Sequence, residues 1–151
     1  MTRHSETREL PYTPEQMYDL VADVERYPEF LPWTAAARVR SREGGPNGEE
    51  MLADLVISFR VFRESFGSKV TLWPEEKRIE TAYLEGPFEH MNSEWRFEST
   101  ETGCRVHFWV DFAFRNKLIG RVVGSVFNQA MHRIVAAFEK RARDLYGPAA
   151  A

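Results

Sequence analysis

The chain has 151 residues, 43% of them apolar and 28% charged, a composition typical of one globular domain that buries about two-thirds of its unfolded surface. Its net charge of −3 argues against DNA and general nucleic-acid binding, because neutralising phosphates requires an excess of Lys and Arg. A single cysteine, no signal-like N-terminus and no apolar run of about 18 residues predict a cytoplasmic protein without disulfides or membrane spans.

The N-terminal part predicts a strand followed by two short helices. Residues 3–10 are polar and only weakly strand-like. Thr13 is a good N-cap, with Pro14 at the first helical position and Gln16 placed to close a capping box. A second helix is confined to about residues 24–30, because the X-Pro bonds in and after it favour extended or turn geometry.

The middle of the chain predicts an antiparallel sheet with one packed face and one solvent face. Apolar and polar residues alternate strictly after the turn cluster at 44–48, which is the pattern of strands buried on one side. The connections are of hairpin length, so neighbouring strands run antiparallel. The predicted strands after the first are residues 35–43, 51–61, 66–73, 78–84, 90–98 and 105–114.

The last predicted element is one long helix over residues 116–146. A helix of about 45 Å with a wide apolar arc needs a large concave partner. The arc at helical spacing consists of Ile119, Val123, Val126, Phe127, Ala130, Ile134, Ala137, Phe138 and Leu145. The same segment holds six basic and two acidic residues, a net of +4. The sequence therefore predicts an α+β fold in which a curved antiparallel sheet of six or seven strands wraps around a C-terminal helix. We expect a single domain over residues 1–147 and a frayed tail at 148–151.

The inward faces of the strands and the helix predict an apolar tunnel between them. Thr81 and Ser93 are the few inward polar residues, and they either orient one polar group of a ligand or satisfy neighbouring buried groups. Gly120 and Gly124 flank the helical arc, where we expect either close approach to the sheet or space for a ligand. The predicted lining residues are Leu55, Ile57, Phe59, Thr81, Tyr83, Met91, Ser93, Trp95, Phe108, Val110, Phe112, Gly120, Val123, Gly124, Phe127, Met131 and Ile134.

A proline-stiffened loop before the second predicted strand concentrates large apolar side chains. Tyr27, Phe30, Leu31 and Trp33 are the residues concerned. We interpret them as a gate loop that opens the tunnel at a membrane surface, where Trp is favoured. The alternative is a set of buried wedges that closes one end of the core.

The sequence offers little for catalysis or for metal binding. The four histidines lack metal-ligand spacing, and no phosphate-binding or nucleophile-elbow motif occurs. Cys104 has neither a paired histidine nor a helix N-terminus beside it to activate the thiol. We therefore predict no catalytic residue, no metal and no covalently bound cofactor.

Three segments resemble a known family. They are Asp23-Val24-x-x-Tyr27-Pro28-x-Phe30-Leu31-Pro32-Trp33, then Gly86-Pro87-Phe88 with Trp95-x-Phe97, and Phe112-x-Phe114 running into the long helix. Together they resemble the coenzyme Q-binding proteins of the START-like superfamily, which also holds polyketide cyclases and lipid-transport proteins. The resemblance covers essentially the whole chain and implies a helix-grip fold with a lipophilic tunnel. Thr34 stands where family members commonly have a cysteine.

The resemblance implies non-catalytic binding of ubiquinone or a similar polyprenyl lipid in support of respiratory electron transport. Bacterial relatives of the family include ribosome-association toxins, which are said to block subunit joining, so this function is the alternative. A third possibility is an enzyme of the polyketide aromatase/cyclase type, since that fold fixes a reactive chain with few polar residues.

The basic side of the long helix predicts a partner surface. It is either a solvated face, a docking face for an anionic inner membrane, or a contact for ribosomal RNA in the alternative function. Its residues are Lys117, Arg121, Arg133, Lys140 and Arg143.

Overall fold

The computed structural model describes residues 2–45, 48–59 and 62–147, without the side chains of Thr2, Phe59 and Phe62. The predicted α+β fold is confirmed, and the predicted tail at 148–151 lies outside the described residues. The elements are β1 (Thr2–Leu10), α1 (Pro14–Ala22), a 3-10 helix (Val24–Glu29), β2 (Thr34–Gly45), β3 (Gly48–Phe59), β4 (Phe62–Trp73), β5 (Arg78–Glu85), β6 (Phe88–Thr100), β7 (Gly103–Phe114) and α2 (Lys117–Tyr146).

The seven strands form one antiparallel sheet in the order β1-β7-β6-β5-β4-β3-β2. The polar first strand, which looked weak in isolation, pairs with β7 from Thr2 opposite Phe112 to Leu10 opposite Cys104. Register shifts between Val39 and Ser41, and at the Gly67–Ser68 step, mark irregular pairing that bends the strands. The sheet therefore curves around one face, and α1 with the 3-10 helix connects its two edge strands.

The predicted start of α1 is confirmed. The Thr13 hydroxyl accepts a hydrogen bond from the backbone N–H of Gln16 at 3.1 Å, and the Gln16 side chain accepts one from the Thr13 N–H at 2.9 Å. This capping box satisfies two of the donors that a helix start leaves free. The helix buries Met17 and Val21 against the sheet, each 1% exposed.

The long helix α2 packs unevenly against the sheet. Its N-cap is Asn116, whose side-chain oxygen accepts from the backbone N–H groups of Leu118 and Ile119. Its fully buried residues begin at Phe127, whereas Leu118 is 72% exposed. Leu145, which the predicted apolar arc included, is also exposed, and this part of the prediction is wrong. The sheet therefore grips the second half of α2, and the first half stands further from the core.

Candidate functional site

A cavity in two chambers separates α2 from the inner face of the sheet. The first chamber has a volume of about 220 Å³ and the second about 190 Å³. The two adjoin, because the same residues form a wall of each: Thr34, Ile57, Phe66, Met91, Met131 and Ile134. The structure thus places a cavity where the sequence predicted a tunnel.

The first chamber is apolar almost throughout. Aromatic rings from neighbouring strands surround Phe88, with ring centroids 4.8 Å away for Phe114, 5.3 Å for Phe66 and 5.6 Å for Phe112. Water gains little in such a space, so the chamber suits an apolar ligand. Its other walls are Pro32, Trp33, Val110, Val123, Val126, Phe127 and Ala130.

The second chamber differs from the first by carrying hydroxyl groups. Ser68, Thr81 and Ser93 lie on the neighbouring strands β4, β5 and β6, and Thr81 stands directly opposite Ser93 in the strand pairing. Within the described part of the chain, none of these three hydroxyls makes a hydrogen bond to the protein. They are therefore available to bind a polar group of a ligand.

Ionisable side chains are almost excluded from the cavity. Of the described residues that line either chamber, Tyr27 alone is ionisable. Burial, and secondarily the charge of Asp23, raises the pKa of its phenol far above the ordinary value. Cys104 lies elsewhere in the core, and burial raises the pKa of its thiol to about 11. The cavity therefore presents neither a ready general base nor a ready nucleophile.

The large apolar residues of the loop after α1 have two roles, since some pack into the core and some line the cavity. Tyr27 and Phe30 pack edge-on against Phe138, with ring centroids 5.4 and 5.3 Å from it, and the Tyr27 hydroxyl donates to the backbone carbonyl of Val21. Leu31 and the first-chamber residue Trp33 line the cavity, and so does Tyr27. Trp33 adopts a backbone φ of 61°, a conformation that is strained for a bulky residue.

Most of the predicted lining residues do meet at the cavity. They are Leu55, Ile57, Thr81, Met91, Ser93, Trp95, Phe108, Val110, Phe112, Val123, Phe127, Met131 and Ile134. Phe59 lies outside the described residues as regards its side chain. That these residues bind a ligand remains a prediction.

Three predicted lining residues line neither chamber. The Tyr83 hydroxyl accepts a hydrogen bond from the backbone N–H of Phe88, and its ring packs beside that residue. Gly124 is exposed, and a Cβ added there meets no atom within 4 Å. A Cβ at Gly120 would make an ordinary contact with Phe114 at 3.6 Å. Neither glycine approaches the sheet so closely that a Cβ would clash, and a role in leaving space for a ligand stays a prediction.

Sequence reasoning missed Ser68 and the deeper wall residues. Ser68 shares strand parity with Phe66 and Val70, so the alternation of β4 already carried the signal. Phe138 was recognised as part of the helical arc, but its position at the end of the second chamber depends on how α2 docks. Periodicity predicts which face of a helix is buried, but not how deeply each turn is buried against the sheet.

The predicted basic face separates into two groups. Near the C-terminus, Lys140 pairs with Asp144 at 3.0 Å and Arg143 with Glu139 at 3.1 Å. Lys117, Arg121 and Arg133 are exposed and make no ion pair with any described residue. We call these three the free basic residues. Exposed Leu118 and Val122 lie beside the first two of them on α2.

The family follows from comparison with known proteins. Residues 10–139 match the family model described as "Polyketide cyclase / dehydrase and lipid transport". The chain belongs to this family. Its fold is START-like. The chain superposes on a START superfamily protein from Mycobacterium smegmatis with a TM-score of 0.80 at 19% identity. The superposition covers 96% of this chain and 99% of that one.

Two family relatives carry different names. A protein of Rickettsia prowazekii named ribosome association toxin RatA is 35% identical over 148 residues, which is 96% of this chain and 99% of the relative. The mitochondrial coenzyme Q-binding protein COQ10 homolog B of Xenopus laevis is 32% identical over 149 residues, which is 95% of this chain and 59% of the relative.

Within the described residues, no helix of this family member combines the length and apolarity needed to cross a bilayer.

Proposed function

We propose that the protein binds a polyprenyl quinone such as ubiquinone, or a similar lipid, in the two-chambered cavity and holds it without chemical change. The observation that carries this proposal is the division of the cavity into an apolar chamber and an adjoining chamber with free hydroxyls. The quinone ring occupies the second chamber, where Ser68, Thr81 and Ser93 donate to its carbonyl oxygens. The isoprenoid tail occupies the first chamber.

Among the described residues that line the cavity Tyr27 is the only ionisable one, which supports carriage over catalysis. An aromatase or cyclase has to move protons, and Tyr27 is a poor base because burial keeps its phenol protonated. The relative named as a coenzyme Q-binding protein supports the choice of ligand. Binding of this kind would serve respiratory electron transport by shielding an insoluble quinone from water.

Removing the hydroxyls without changing the cavity shape tests the position of the head group. Thr81→Val and Ser93→Ala each delete one donor, and each is expected to weaken binding of a short-chain ubiquinone about 2- to 10-fold, the range for one hydrogen bond of about 0.5–1.5 kcal/mol. Thr71→Val, on β4 but on the outer face of the sheet, is the matched control and is expected to bind as wild type. Equal affinities for all variants would contradict this placement of the quinone ring.

Lipid collection requires access to a bilayer, and the first turns of α2 are suited to it. The free basic residues attract anionic lipid, each by about 1 kcal/mol near the surface, and Leu118 and Val122 offer apolar contact. We propose that this surface docks the protein peripherally on an anionic membrane.

The second candidate function is ribosome association. It is favoured by the name of the Rickettsia relative and by the same free basic residues, which suit ribosomal RNA as well as lipid phosphate. A triple variant with glutamine at positions 117, 121 and 133 distinguishes the two. Loss of salt-sensitive binding to anionic vesicles supports lipid collection, and loss of co-sedimentation with ribosomal subunits supports the alternative. Glutamine at positions 140 and 143, where the charges are paired within the helix, is the control.

A further inference from the structure

A cluster of potential metal ligands lies where β1 meets α2. His4 and Glu6 are two residues apart on β1, so their side chains lie on the same face of the strand. His132 reaches them from α2. His4 Nε2 is 2.9 Å and His132 Nδ1 is 3.0 Å from the same atom, Oε1 of Glu6. Two imidazoles and one carboxylate from distant parts of the sequence therefore converge on one point, which spacing along the chain did not reveal.

The separations between these atoms suit coordination of one small cation. The three ligand atoms all lie within 4.8 Å of one another. Ligands held at 2.0–2.1 Å from a tetrahedral Zn²⁺ are about 3.3 Å apart. Binding one would therefore lengthen the two distances to Glu6 by a few tenths of an ångström and bring the two imidazole nitrogens, now within 4.8 Å, towards the same separation. The Glu6 side chain is 9% exposed, whereas that of His132 is 59% exposed and leaves a path for an ion to enter.

Neighbouring groups orient both buried ligands. His4 Nδ1 lies 3.2 Å from the side-chain oxygen of Asn128, and His4 Nε2 lies 2.9 Å from Glu6 Oε1. In the tautomer with its hydrogen on Nδ1, the ring donates to Asn128 and offers Nε2 to a metal ion. Arg8 binds the other carboxylate oxygen of Glu6. A ring N–H held by an amide oxygen is the usual outer partner of a metal-binding histidine.

We propose that His4, Glu6 and His132 bind a divalent transition-metal ion of the Zn²⁺ type. Imidazole and carboxylate ligands suit such ions, and three protein ligands leave a fourth position for water. The ion would join β1 to α2 beside Phe127, whose ring lies 6.2 Å from that of His4 and forms a wall of the first chamber. Metal binding would thus hold the helix over the cavity.

Zinc titration of the chelator-treated full chain tests the proposal. We expect one saturable Zn²⁺ per chain by calorimetry, a rise in Tm with Zn²⁺ and none with Mg²⁺, and visible absorption bands after loading with Co²⁺. His132→Ala, at an exposed position, is expected to fold and to lose at least about 10-fold in affinity together with the Tm rise. Asn128→Ala, which removes the orienting acceptor, is expected to weaken binding about 10-fold.

His107→Ala is the matched control, because His107 also faces one carboxylate, 3.3 Å from Glu98, but has no second histidine beside it. It is expected to bind Zn²⁺ as wild type. No saturable equivalent in the wild-type chain would overturn the proposal. Equal weakening by His132→Ala and His107→Ala would overturn it as well, and so would a wild-type Tm that Zn²⁺ does not raise. None of these experiments measures quinone binding, so a negative result for Zn²⁺ would not contradict the proposed function.

Discussion

Tyr27 connects the loop to both α1 and α2. Its hydroxyl donates to the Val21 carbonyl and its ring packs on Phe138. Tyr27→Phe removes the donor and leaves that carbonyl without its partner, so we expect a loss of about 1–3 kcal/mol in the free energy of unfolding at neutral pH. Urea unfolding of the two proteins measures it.

The pH dependence of the same variant has a definite sign. The folded-state pKa of Tyr27 is raised above its unfolded value of about 10, so the folded chain retains a proton that the unfolded chain releases. Its contribution is complete below about pH 10 and falls as the pH rises further. We therefore expect the gap between wild type and Tyr27→Phe to narrow between about pH 10 and 11. A constant gap would contradict the buried environment of the phenol.

Phe30 and Trp33 separate the two interpretations of the loop. Phe30 packs on Phe138 and lies under Arg141, whose guanidinium is 5.0 Å from its ring, so Phe30→Ala should cost about 3 kcal/mol of stability. Trp33 forms a cavity wall, so Trp33→Ala should cost less stability but change the rate of quinone transfer from vesicles. Urea unfolding and a stopped-flow transfer assay measure these effects. Strong destabilisation by Trp33→Ala with unchanged transfer per folded molecule would refute the gate.

At the scale of elements, the existence and buried face of α2 could be predicted from the sequence, but the way in which it docks on the sheet could not. The helix, its N-cap and its apolar arc follow from periodicity and capping chemistry, and the structure confirms the element. The exposed Gly124 and Leu118 could not be predicted, because the tilt of the helix over a cavity is a property of the docked pair. The cluster of potential metal ligands was missed for a related reason, since β1 and α2 lie at opposite ends of the sequence and only the fold brings them together.

The exposed position of Gly124 predicts a stabilising substitution. Gly124→Ala adds a Cβ into open space and improves helix propensity, so we expect up to about 1 kcal/mol of added stability and unchanged quinone binding. Gly103→Ala is the contrasting control, because its φ is 153° and its added Cβ would lie 2.1 Å from the Leu10 carbonyl oxygen. Thermal unfolding compares them. Weakened quinone binding by Gly124→Ala would instead support a role of this glycine in leaving space for the ligand.

For the whole molecule, alternation along the strands was enough to predict one packed face, and together with the helical periodicity it predicted part of the cavity wall. It could not predict that the space divides into an apolar chamber and a chamber with hydroxyls. The boundary between the chambers lies at residues that line both, among them Phe66 on β4, Met91 on β6 and Met131 on α2. The hydroxyl of Ser68 was overlooked because a small polar residue in a strand more often faces solvent.

Titration of a short-chain ubiquinone into the lipid-free protein tests the central claim most directly. Ala130 lines the first chamber, so Ala130→Phe fills space that the isoprenoid tail requires. We predict saturable binding of one quinone per wild-type chain, and a loss of at least about 10-fold in affinity for Ala130→Phe, with circular dichroism showing the same fold. No saturable binding to the wild-type chain, or equal binding to the folded Ala130→Phe variant, would contradict the account.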